Sequence, residues 1–293
     1  LGINDLDFQC LDVRNAGAAR LGDEIVLLVT VEHLSGVQCI FRARRAGRGG
    51  WKLDTEPLMS PSEDPRYRQH EREGIMDPRV TFLEGHYYVF YLAYGEHGYR
   101  LGLARTTDFQ SVERLGLVSE PDTKAGALFP ERIRGRYARV ERPGEGRSIW
   151  VSYSDDLIHW GGSERVISPR DGYWDYHWVG PGAPPIALDE GWLLIYYGAK
   201  QTSAGPIYRL GAVLLDREEP TCVVGRTNIP ILSPRERYER IGDLTNIVFS
   251  CGALLDDDGT VNVYYGAADS CICVGSTTAE EIVNRCVAGK ETF

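Results

Sequence analysis

A short pattern recurs five times along this chain: a turn containing glycine, followed at once by a run rich in aromatic and β-branched residues. It stands as Gly22-Asp-Glu-Ile-Val-Leu-Leu, Gly85-His-Tyr-Tyr-Val-Phe-Tyr, Gly135-Arg-Tyr-Ala-Arg-Val-Glu, Gly191-Trp-Leu-Leu-Ile-Tyr-Tyr and Gly259-Thr-Val-Asn-Val-Tyr-Tyr. The copies fall about 50 to 70 residues apart, the range of propeller blades and similar radial repeats. Each is followed by a second strand-like run, at Val37 to Ala43, Arg100 to Arg105, Ser148 to Tyr153, Tyr208 to Asp216 and Ser270 to Ser276. The repeating unit is therefore a hairpin. Five antiparallel hairpins with glycine and aromatic punctuation predict an all-β chain folded as a five-bladed β-propeller, with a β-sandwich as the structural rival. Helix is expected only at Thr278 to Arg285, where Thr278 can cap and Glu280 and Glu281 suit the first turn. Repetitive all-β folds exceed two hundred residues as single units, so one domain is expected over residues 1–293.

The composition is that of an ordinary folded protein, with 43% hydrophobic and 25% charged residues. A net charge of −10 speaks against nucleic acid as a partner, because phosphate recognition needs clustered Lys and Arg. No stretch approaches the roughly 18 apolar residues of a membrane helix, and no basic-then-apolar leader opens the chain. No membrane partner and a cytoplasmic location are expected; a first residue of Leu leaves room for a removed export signal. A homo-oligomer is left open. The seven cysteines, with Cys39, Cys251, Cys271 and Cys273 inside apolar runs, read as free thiols of a reducing compartment. Cys271 and Cys273 share a strand face, but no His or Cys cluster completes a zinc site, and no metal is expected.

In a small propeller the first strands of successive blades line an axial cavity, and polar residues at their ends are the functional candidates. Just before the second repeat stands Met76-Asp77-Pro78-Arg79. Alone, Asp-Pro reads as a turn. Further motifs accompany it: Asn15-Ala-Gly-Ala; Lys124-Ala-Gly-Ala-Leu-Phe-Pro-Glu, running on to Glu141-Arg142-Pro143; Gly180-Pro-Gly-Ala-Pro-Pro-Ile; Gly242-Asp243-Leu-Thr-Asn; and Tyr264-Tyr-Gly-Ala-Ala-Asp269. Together and in this order they resemble glycoside hydrolase family 130, the β-mannoside phosphorylases and β-mannosidases, over nearly the whole chain.

The resemblance implies inverting cleavage of a β-mannosidic bond in a mannose-containing oligosaccharide. Asp77 would be the general acid, its proton reaching the glycosidic oxygen through a hydroxyl of the mannosyl residue. Asn15 and Asp269 would hold the mannosyl ring, since amides and carboxylates pair well with vicinal hydroxyls. Arg79 and Asp243, within the matching motifs, join the substrate-binding candidates, and Tyr94, Trp178 and Tyr197 are aromatics suited either to stack on sugar or to fill core.

The family's phosphorylases gather phosphate with four basic side chains. Two correspond to Lys124 and Arg142; the other two, a Lys and a His, correspond to Trp178 and Tyr197 here. Loss of half the cationic clamp points to water as the nucleophile and to a β-mannosidase, possible linkage β-1,2. Inverting hydrolysis requires a carboxylate base about 6.5 to 9.5 Å from the acid. Glu141 and Glu131, then Asp175, are the candidates. The alternative is a phosphorylase that takes inorganic phosphate as co-substrate and releases mannose 1-phosphate; a second alternative is a sugar-binding propeller without turnover. No cofactor is implied. Two departures stand beside these: Met76 replaces a usual Glu, and Thr30 replaces an Arg that contacts the mannosyl ring in the family.

Overall fold

The recurrent glycines turn the chain where a side chain would be strained; Gly85 and Gly135 sit at φ 80° and 81°. Each turn joins two strands of an antiparallel unit. A computed structural model describes residues 1–45 and 50–290 and contains five such units in chain order.

The first unit holds β1 (Asp12–Leu21), β2 (Glu24–Glu32), β3 (Gln38–Arg45) and β4 (Trp51–Leu53). A short helix α1 (Arg68–Glu71) precedes the second, made of β5 (Gly74–Leu83), β6 (His86–Gly95), β7 (Gly98–Thr106) and β8 (Glu113–Leu117). The third holds β9 (Lys124–Leu128), β10 (Tyr137–Arg142), β11 (Ile149–Ser154) and β12 (Gly161–Ile167). The fourth holds β13 (Trp178–Pro181), β14 (Ile186–Leu188), β15 (Gly191–Thr202), β16 (Gly205–Leu215) and β17 (Val223–Arg226). After α2 (Arg237–Arg240) come β18 (Val248–Leu255), β19 (Thr260–Ala267) and β20 (Cys271–Thr278), and the chain continues into α3 (Ala279–Lys290). Within the units sequential strands pair antiparallel, except that β13 and β14 both pair with β15; one parallel pair, Gln38 with Gly74, joins the first unit to the second. The fifth unit has three strands, and Gly2 from the N-terminal segment bridges Cys271 on its outer edge.

The core lies between units. Five apolar clusters are each shared by two consecutive units; Phe90 and Leu103 of the second, for example, meet Leu128 and Leu157 of the third. The cluster containing Val13, Phe41, Tyr264 and Ile272 packs the fifth unit against the first. First strands meet likewise: β1 packs on β5 and β18, β5 on β9, and β9 on β13. The architecture is all-β. The C-terminal helix starts where expected, with Thr278 Oγ1 accepting from the Glu281 N–H at 3.2 Å, and runs five residues past Arg285. Among the described residues no helix is long and apolar enough to cross a membrane.

Three first strands are interrupted by bulges or register shifts: β1 between Arg14 and Ala16, β5 between Met76 and Arg79, and the β9–β10 pairing between Val140 and Arg142. Asn15, Asp77 and Ala125 take left-handed backbone there, with φ of 49°, 54° and 57°. Such residues re-aim side chains out of the regular alternation and concentrate at functional sites.

Candidate active site

The bulged strand segments converge on one cavity of about 430 Å³. Asn15 from β1, Asp77 from β5, Lys124 from β9, Arg142 from β10, Tyr197 from β15, Asp243 from the loop after α2 and Asp269 from the β19–β20 turn all line it. They span the chain from residue 15 to residue 269, so their meeting is a product of the fold.

Asp77 is held from three sides. Its backbone N–H donates to Thr30 Oγ1 at 3.0 Å, its carboxylate accepts from Asn15 Nδ2 at 2.8 Å, and its carbonyl accepts from Arg79 Nη1 at 3.0 Å. Arg79 is buried and does not line the cavity. It donates onward to the carbonyls of Gly182 and Pro181 at 2.7 and 3.3 Å, tying β5 to the fourth unit. The Asn15 Oδ1 is buried without a hydrogen-bond partner among the described residues. A Cβ at position 266 would collide with that oxygen, so Gly266 makes room for the amide.

Arg14, beside Asn15, also lines the cavity. Its guanidinium pairs with Asp12 at 2.6 Å and Glu32 at 2.7 Å, and stands 4.0 Å from Asp243. Arg14 is the register partner of Thr30 across β1 and β2. The Asp269 carboxyl is raised to about 6: burial is the main cause, opposed by Arg14 and reinforced by Asp77. Asp12, outside the cavity lining, rises to about 7, again chiefly through burial, with Arg14 opposing.

Across the cavity Lys124 and Arg142 are register partners on adjacent strands. Among the described residues no carboxylate lies within ion-pair distance of either. Lys124 Nζ sits 3.5 Å from the Tyr99 ring centroid, and the Arg142 guanidinium 5.9 Å from that of Tyr197. Burial first, and then Arg142, lowers the Lys124 pKa. Two adjacent cations without an ion pair, with Asp77 and Asp122 acting on Lys124 only at longer range, suit an anion.

The remaining expected site residues stand elsewhere. Glu131 is exposed and paired with Arg217 at 2.6 Å. Glu141, on β10, is buried, paired with Arg139 at 2.7 Å and hydrogen-bonded by Ser152. Asp175 is fully buried between Arg170 and Arg226, at 2.9 and 2.7 Å, and accepts from the Tyr196 hydroxyl at 2.7 Å. None of the three lines the cavity, so none is placed to activate a water there. Trp178 packs 5.7 Å from Tyr208 outside the cavity wall, and Tyr94 stacks on Tyr99, the ring that does line it. Besides Arg14, sequence reasoning missed Glu32, Tyr99, Tyr208 and Phe249 in the wall. Among the described residues no group of three or more His, Cys, Asp or Glu is arranged for a metal ion.

The chain thus gathers an aspartate on a strained bulge, an amide, a second carboxylate and two cations without an ion pair around one cavity. Comparison with known proteins identifies its family. The sequence profile of a family described as β-1,4-mannooligosaccharide phosphorylase matches residues 51–288. A 1,2-β-oligomannan phosphorylase from a Thermoanaerobacter species is 39% identical over 234 residues, 79% of this chain and 75% of that protein. A β-1,4-mannooligosaccharide phosphorylase from Ruminococcus albus is 35% identical over 242 residues, 80% of this chain and 72% of the relative. The structure of β-1,2-mannobiose phosphorylase from Listeria innocua, with bound β-1,2-mannobiose, superposes with a TM-score of 0.89 at 28% identity, covering 98% of this chain and 96% of that one. The chain belongs to glycoside hydrolase family 130. These relatives are named as phosphorylases, where the sequence reading put water first.

Proposed function

We propose that this protein is a β-mannoside phosphorylase acting on a mannose-containing oligosaccharide, with inorganic phosphate as co-substrate and no further cofactor. The observation that carries this reading is the pair Lys124 and Arg142, facing the cavity without a carboxylate partner while Glu131, Glu141 and Asp175 are engaged elsewhere. The phosphorylase names of its relatives support it.

In this reading Arg14, Asn15 and Asp269 hold the terminal mannosyl residue beside Asp77. A phosphate oxygen held by Lys124 and Arg142 attacks the anomeric carbon from the face opposite the leaving group. The glycosidic carbon–oxygen bond breaks as the Asp77 proton reaches the leaving oxygen through a mannosyl hydroxyl. The products are mannose 1-phosphate of inverted configuration and a saccharide shorter by one residue, and the next phosphate supplies the proton that restores Asp77. Trp178 and Tyr197 leave two cations where four would stand, so phosphate is held more weakly than by a full clamp.

The reading includes the scaffold: the five units are the blades of a single-domain five-bladed propeller, the cavity lies at its axis, and Leu1–Gly2 closes the fifth blade's outer edge. It also includes a cytoplasmic setting, where phosphate is available and thiols stay reduced. The test is the phosphate dependence of mannobiose consumption for defined β-1,2 and β-1,4 linkages. Consumption should follow added phosphate; an equal rate in phosphate-free buffer would favour hydrolysis.

A further inference from the structure

Two thiols outside the sugar site face one another on β20. Cys271 and Cys273 are two residues apart, so both side chains leave the same face of the strand. Their sulfur atoms stand 3.9 Å apart. Both residues are half-buried, whereas Cys39, Cys251 and Cys286 are buried. They lie opposite Ala267 and Tyr265 of β19, at the margin of the cluster between the fourth and fifth units. The Cys271 thiol is lowered to about 7, chiefly because the Cys273 thiol hydrogen-bonds to it, so part of it is thiolate at neutral pH.

We propose that Cys271 and Cys273 are a reversible oxidation site for hydrogen peroxide, and that closing the disulfide reshapes the turn that carries Asp269. The Cys271 thiolate attacks one peroxide oxygen; the oxygen–oxygen bond breaks, hydroxide leaves and takes up a proton, and a sulfenic acid forms. The Cys273 sulfur then attacks the sulfenic sulfur and expels water. Two thiols and one hydrogen peroxide become one disulfide and two waters, each sulfur losing one electron and the peroxide gaining two.

The backbone makes this disulfide a switch and not a staple. Strand residues two apart are separated by about 6.4 to 6.8 Å between Cα atoms, the upper end of what a disulfide spans, and their near-parallel Cβ atoms stand beyond the roughly 3.5 to 4.5 Å that the closed bond requires. Closure must draw the sulfurs together to a bond of about 2.05 Å, which crimps the strand; strained disulfides are the readily reduced ones. Cys271 directly follows the turn 268–270. Within that turn the Ser270 N–H donates to the Ala267 carbonyl at 3.0 Å, and Ser270 Oγ accepts from the Asp243 N–H at 2.9 Å. A bend at Cys271 therefore reaches Asp243 and Asp269, both in the cavity wall.

The test does not depend on catalysis. The reduced protein is treated with one equivalent of hydrogen peroxide, remaining thiols are alkylated, and the peptide containing residues 271–273 is weighed after digestion. The expected peptide has lost two hydrogens, is not alkylated, and returns to two alkylatable thiols after dithiothreitol. Amide exchange across residues 266–270 should be about tenfold faster in the oxidised protein, a local opening well within the range that exchange reports. Cys273→Ser should stop at a sulfenic acid on Cys271 that dimedone traps. Two alkylated thiols after peroxide, oxidation confined to the exposed Cys222, or a disulfide that leaves exchange at 266–270 unchanged would each overturn the proposal.

Discussion

Replacing Lys124 with Gln removes one of the two cations proposed to hold phosphate while leaving the mannosyl side of the cavity intact. A charge-assisted hydrogen bond contributes about 1.5 to 3 kcal/mol, which is roughly 10- to 150-fold in affinity at about 1.4 kcal/mol per tenfold. The structure points to the lower part of that range. Lys124 and Arg142 already repel one another, so removing the lysine relieves the arginine and returns some of the loss. An increase of about 10- to 30-fold in the KM for phosphate is expected. The KM for the mannoside should stay within about twofold, because Asn15 and Asp269 sit on other strands. Arg142→Gln should behave alike, and the double variant should lose more than the product of the two effects, since relief of the one repulsion is gained in each single variant but only once in the double. Initial rates against phosphate at saturating mannobiose measure this, with a thermal melt to account for the lost Lys124–Tyr99 contact. An unchanged phosphate KM in both variants would refute the assignment of these side chains.

Three further perturbations test the acid and its supports. Asp77→Asn should lower kcat by about 10² to 10⁴-fold in a protein that melts as before, because Asn tolerates the left-handed backbone at φ 54° and still accepts from Asn15; near-normal kcat would remove Asp77 from its role. Thr30→Val keeps the shape but orphans the half-buried Asp77 N–H, and denaturant titration should show a loss of about 1 kcal/mol. Asp12 is raised from 3.8 to about 7, so the folded protein binds a proton more tightly than the unfolded chain. Stability then falls as pH rises between these values. Asp12→Asn should flatten the slope by about one proton over that window, leaving a smaller slope from Asp269, and an unchanged slope would show that burial does not hold Asp12 protonated.

The sequence made the hairpins legible because each glycine turn is followed by a run of strand-forming residues, and the second runs correspond to β3, β7, β11, β16 and β20, each the hairpin partner of the strand before it. The inner strands were harder to read. In a regular strand Arg14 and Asn15 face opposite sides; the bulge between Arg14 and Ala16 turns both into the cavity, so alternation alone hides Arg14. The carboxylates nominated as bases lie on appropriate segments, but Glu131 and Asp175 take partners from afar in the chain, while Glu141 is engaged by Arg139, two residues before it. Arg217 is 86 residues from Glu131 and Arg226 is 51 from Asp175, and such pairings leave no local trace. Lys124 and Arg142 were legible only through the family motif, and their adjacency depends on the pairing of β9 with β10. The pairing of Gly2 with β20 likewise has no signal in the N-terminal segment.

The central claim is that phosphate, and not water, receives the mannosyl group. Cleavage of mannobiose in heavy-oxygen water with phosphate at about ten millimolar, a level that fills a site of millimolar affinity, tests it directly when the products are followed by phosphorus NMR and mass spectrometry. The account predicts mannose 1-phosphate of inverted anomeric configuration, with no heavy oxygen at its anomeric carbon. Free mannose carrying heavy oxygen at the anomeric carbon as the main first product would contradict it and restore water as the nucleophile.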